Sequence, residues 1–130
     1  MAELDLSYDD DSAAAFAAAA TGHDVATVRR VLAGRDLHLA CLGIVEAPPH
    51  VDLEAVRSAN LDIVTDDDVC ERRVTYDAEA TFVMRMTRLS PSVVVAVLAA
   101  DVEYMSKRGI VDAAMVSSYR NWARRWIDGT

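Results

Sequence analysis

Lysine is almost missing from this chain of 130 residues: Lys107 stands alone against 12 arginines. Cysteine is nearly as scarce. Cys41 and Cys70 lie far apart and cannot form the disulfide framework of a small secreted scaffold. In a reducing cytoplasm both are expected as free, buried thiols. No apolar run approaches the roughly 20 residues that span a bilayer. The longest, Val93 to Ala100, is short enough to be a buried helix core. The opening MAELDLSYDDDS is acidic and lacks the basic start of a secretion signal, so a cytoplasmic location and no membrane partner are expected. Catalytic signatures are missing too. There is no G-x-S-x-G, no glycine-rich phosphate loop and no H-E-x-x-H. His23, His38 and His50 have no serine or cysteine at motif spacing. No catalytic residue and no cofactor is therefore nominated, and binding rather than enzymatic chemistry is expected.

Apolar residues make up 52% of the chain, enough for one domain, residues 1–130, with its own core. The net charge is −8, which argues against indiscriminate binding to phosphate backbones. Its distribution is uneven. Residues 1–24 carry six acids and no base, whereas residues 25–38 carry Arg29, Arg30 and Arg35 against Asp36 alone. Residues 46–79 carry ten acids and three bases, and residues 80–130 carry seven bases and four acids. A local basic patch on an acidic protein is the arrangement this pattern suggests.

The patch falls in the stretch most suggestive of function, Thr21–Gly34, TGHDVATVRRVLAG. An alanine-rich run, Ser12–Ala20, has high helix propensity and precedes it. Gly22 supplies the free backbone of a sharp turn. Asp24 can cap a second helix, in which Val28, Val31 and Leu32 form an i, i+3, i+4 apolar stripe and Gly34 is positioned to stop it. Helix, glycine turn and helix with arginines is the layout of a helix-turn-helix. Residues 13–34 resemble the helix-turn-helix of lac-repressor-type transcription regulators through Gly22, Val25, Ala26, Thr27, Val28, Arg30, Val31, Leu32 and Gly34. The resemblance implies that Val25, Ala26 and Arg30 face base edges and that Thr27 and Arg29 lie near phosphate. Arg35 completes the group of positive charges. A single ankyrin-like unit is a weaker description, because no second copy is visible and one unit cannot bury its own face.

Residues 1–8 read as a tail or a short edge strand. The remainder divides at Pro48-Pro49, which separates a helical unit, residues 9–47, from residues 51–130. Within the first part, Asp36–Ala47 reads as a third helix, with a strand inside Leu42–Glu46 as the competitor. Within the second, Asp52 caps a short helix, Leu53–Ala59, and Leu61–Thr65 reads as a strand. Asp66–Asp68 reads as an acidic turn. Val74 and Tyr76, then Phe82, Met84 and Met86, alternate as in a hairpin of Glu71–Tyr76 with Thr81–Thr87. Ser90-Pro91 opens a helix to about Arg108, and Asp112 caps a last helix ending near Ile127. The expected fold is thus α+β: a helix-turn-helix unit, a small antiparallel hairpin or sheet, and two C-terminal helices.

Two further groups bear on function. His38 and Cys41 form H-x-x-C, and His50 and Cys70 could complete four zinc ligands, but a second close ligand pair is missing and no metal is expected. Tyr119, Trp122 and Trp126 make an aromatic stripe on the last helix, beside Arg120, Arg124 and Arg125, of the composition common at interfaces. The function these features favour is a small transcription regulator that binds double-stranded DNA, as a homodimer joined through the C-terminal helices. The alternative is an acidic protein-interaction module, such as an inhibitor, antitoxin or viral accessory protein, whose partner is a protein.

Overall fold

A computed structural model describes residues 8–127. The tail or edge strand expected over residues 1–8 lies outside the described residues, apart from Tyr8. Seven helices and no strand occur among the described residues: α1 Asp10–Thr21, α2 Val25–Cys41, α3 Leu53–Ser58, α4 Asp66–Glu71, α5 Tyr76–Thr87, α6 Pro91–Lys107 and α7 Ala113–Ile127. None is long and apolar enough to cross a membrane.

The α+β expectation is therefore overturned, and the reasons are local. The hairpin's second strand is α5. Phe82, Met84 and Met86 do alternate, but Glu79, Phe82 and Val83 also fit helical spacing, and those are the buried ones. Thr75 caps the helix by accepting from the N–H of Ala78 at 3.3 Å, and Asp77 and Glu79 occupy the first turn. The acidic turn is likewise a helix start. Thr65 accepts from the N–H of Asp68 at 3.1 Å, and Asp66, Asp67 and Asp68 sit at the positive end of the dipole of α4. The expected strand Leu61–Thr65 is a turn: the N–H groups of Ile63 and Val64 both donate to the Asn60 carbonyl, at 2.9 and 2.7 Å, and both side chains are buried.

The chain forms two compact units. The first comprises residues up to Leu32 and from Ser90 onward, and the second comprises Ala33–Leu89. Both limits differ from the division at Pro48-Pro49.

In the first unit, α6 packs against α1 and α7. The alanines of α1 explain its part: Ala13, Ala14 and Ala17 are buried and let another helix approach closely. The middle of α6 supplies Val94, Val95, Val97 and Leu98 to the core. From α7 come Tyr119, Trp122 and Ala123. A polar contact pins the start of α1 to this core. Tyr8 donates to the buried Asp101 at 2.6 Å and stands edge-on to Tyr104.

In the second unit, Cys41, Leu42, Ile63, Val64 and Phe82 make the core, flanked by Leu37, Leu53, Val56, Val69 and Ala78. Arg57 donates to the Cys41 carbonyl at 2.8 Å, and Arg85 grips Asp62 with two bonds of 2.9 Å. Cys70 is exposed rather than buried, because it lies on the outer side of the short helix α4; both thiols are free.

Gly34 does not stop α2, which runs through it to Cys41 and absorbs the first half of the expected third helix. The helix ends instead at Gly43, whose φ of +76° permits the closing bonds from Gly43 N–H to the Ala40 carbonyl and from Ile44 N–H to the Leu39 carbonyl. Gly34 serves close packing. A Cβ there would stand 3.3 Å from a methyl of Val83 and 3.5 Å from Thr87 of α5. Gly34→Ala should thus be nearly neutral, because a helix-propensity gain of about 1 kcal/mol meets a tight but yielding contact. Gly34→Leu should lose about 1–3 kcal/mol in chemical denaturation, since its branched end has no room beside α5.

Candidate nucleic-acid interface

The turn between α1 and α2 follows from three residues. Gly22 adopts φ +79° and donates to the Ala18 carbonyl at 2.9 Å, closing α1. Thr21 turns its hydroxyl back onto the Ala17 carbonyl and accepts from the N–H of His23. Asp24 then caps α2 by accepting from the N–H of Thr27 at 2.7 Å. That bond, with further help from the Thr27 side chain, holds the Asp24 carboxyl below the usual carboxylate range.

Along the first turns of α2 the two sides separate cleanly. Val28, Val31 and Leu32 are buried, whereas Val25, Ala26, Arg29 and Arg30 are exposed. At 3.6 residues per turn the four exposed positions fall within an arc of about 140°. Thr27 lies at the edge of the buried side and is half-buried. Arg35 does not join them. It projects from the same side as Val28 and Val31, is only 8% exposed, and makes bonds of 3.2 and 3.0 Å to Asp36. The expected group of three arginines is thus two, because the helical rotation between Arg29 or Arg30 and Arg35 carries the last of them off the exposed arc.

Sequence reading missed the partner of Arg29. Asp11, in the first turn of α1, stands 2.7 Å from its guanidinium, with the Arg29 and Asp11 side chains 50% and 84% exposed. Such an exposed pair contributes less than about 1 kcal/mol to stability. Nothing in the spacing announces it, because the partners are brought together by the turn at Gly22. The charge balance is also clearer by unit. Over the full sequence, residues 1–32 and 90–130 carry ten acids and seven bases, and residues 33–89 carry eleven acids and six bases. The second unit holds the larger share of the negative charge.

The aromatic stripe of α7 is largely used inside its own unit. Tyr119 and Trp122 are buried and meet edge-on at 5.1 Å between ring centres. Trp126 is half-buried, 6.1 Å from Trp122. Of the four residues considered as zinc ligands, His38 and Cys41 are buried and His50 and Cys70 exposed. No group of three or more metal-ligating side chains occurs among the described residues.

No family model, curated protein or solved structure matches the chain.

His38 is a strongly perturbed ionisable group. Its ring is 1% exposed, packs 5.1 Å from the Phe82 ring, and leaves Nδ1 without a hydrogen-bond partner. Burial lowers its pKa from 6.5 to about 4, with the nearby Asp68 opposing. The unfolded chain binds this proton more readily than the folded one. Stability is therefore full above pH 6.5 and falls as the pH drops toward about 4. The loss should reach roughly 3 kcal/mol. Asp24, Asp62 and Asp68 are shifted below 3.8, and their own losses begin at about pH 5 and grow below 3.8. Denaturant midpoints measured between pH 7 and pH 5 should fall for the wild type and stay nearly level for His38→Leu.

Proposed function

We propose that this protein binds double-stranded DNA through the exposed side of α2. The observation that carries the reading is the clean division of that helix: Val25, Ala26, Arg29 and Arg30 outward, Val28, Val31 and Leu32 inward, behind a glycine turn capped by Asp24. A helix with two arginines and two small apolar residues on its outer side has the chemistry to enter a major groove. Arginine bonds phosphate or guanine, and a small apolar side chain meets the thymine methyl. The charge distribution supports this, because all four exposed residues belong to the less acidic of the two units. Arg35 is left out of the contact set. A homodimer through the α7 aromatics has little exposed surface to draw on, because Tyr119 and Trp122 are buried within their own chain. The reading therefore rests on one DNA-facing helix per chain.

The second reading, an acidic protein-interaction module, draws on the second unit. Its acids outnumber its bases nearly two to one, and Leu61 is 58% exposed within it. Here a protein partner would meet the acidic surface, and the exposed arc of α2 would play no part.

A mobility-shift titration with random duplex DNA separates the two. The wild type should bind at low salt and lose affinity as salt rises. Arg29→Ala/Arg30→Ala should bind about tenfold more weakly at low salt and show a shallower salt slope by about one to two units. Absence of binding by the wild-type and double-alanine proteins, and by variants that release Arg29 from Asp11, would leave only the acidic-module reading.

A further inference from the structure

Resting on the DNA-binding reading, we propose that Asp11 is a built-in competitor for phosphate: in the free protein its carboxylate occupies the Arg29 guanidinium, so the α2 face is partly autoinhibited.

The geometry sets this up. The Asp11 Oδ1 to Arg29 Nη2 distance of 2.7 Å is that of a charge-assisted bond, the same bond a phosphate oxygen would make. The backbone N–H of Asp11 is held at 3.0 Å by Asp9, the cap of α1, so its Cα stands at a fixed helix start from which the carboxylate reaches Arg29. Both partners are largely exposed and away from the core, so the pair is open to exchange with a ligand. Arg29 is one of two bases on the exposed arc, and the carboxylate beside it lowers that face's attraction for DNA. Asp9 and Asp10 adjoin Asp11 and would repel a phosphate approaching from that side.

The consequence is selectivity. A duplex phosphate that approaches Arg29 must either displace Asp11 from Nη2 or share the guanidinium with that carboxylate. A duplex that offers only backbone phosphate gains little from the exchange. One that also offers base-edge contacts to Val25, Ala26 and Arg30 gains enough to displace it. Like-charge groups set against the wrong ligand raise discrimination in this way.

The test uses the full chain and one labelled random duplex, at low salt. Asp11→Asn keeps the shape and the backbone bond but removes the charge, and should bind about two- to fivefold more tightly than wild type. Asp10→Asn removes the same charge one residue away and should gain distinctly less. Arg29→Ala alone and Arg29→Ala combined with Asp11→Asn should bind nearly equally, because the competitor then has nothing to hold. The inference is overturned if Asp11→Asn binds no tighter than wild type or than Asp10→Asn, or if its gain persists undiminished without Arg29. In that event, weakened binding by Arg29→Ala/Arg30→Ala leaves the DNA-binding reading standing. If no protein in the set binds, both fall.

Discussion

The constraint on which the rest depends is that α2 continues through Gly34. A helix that stopped there would have left residues 35–41 free to take another path. Because the glycine lacks a side chain, α5 can lie against it at Val83 and Thr87, and that packing outweighs the glycine's poor helix propensity. The continuous helix then contributes to both compact units: Val28, Val31 and Leu32 fall in the first, and Leu37, Ala40 and Cys41 in the second. It also fixes where each arginine points. Helical geometry alone turns Arg29 and Arg30 to solvent and Arg35 inward.

Charge acts on more than one scale. Over the chain, a net −8 argues against a protein that adheres to any nucleic acid. By unit, residues 33–89 hold five of the eight surplus negative charges, and the unit that includes the first turns of α2 holds three. At the scale of single contacts, Asp11 sits directly on Arg29.

The helix-turn-helix stretch was legible because its signals are local. Gly22 needed positive φ, Asp24 had a free N–H within reach, and the Val28–Leu32 stripe was close enough in sequence to show its period. The two C-terminal helices were legible for the same reason: Pro91 opens α6, Gly109 follows its end, and Asp112 caps α7 by accepting from the N–H of Met115. The middle of the chain misled. Over a stretch as short as Thr81–Thr87, a period of two and a period of 3.6 are both satisfied, and the choice falls to whatever packs against it. The threonine caps at Thr65 and Thr75, each followed by acids, were the signals for α4 and α5.

The sequence by itself therefore determined where helices α6 and α7 begin and end, the turn at Gly22 that closes α1, and the shortage of basic charge. These depend on backbone dihedrals, caps and composition, which involve neighbours a few residues apart. Only the tertiary structure decided between strand and helix for Thr81–Thr87, that Gly34 is a packing position, that Tyr119 and Trp122 are core, and that Asp11 rather than solvent meets Arg29. Each of those depends on residues far apart in the chain, whose burial and charge are settled when helices are packed side by side.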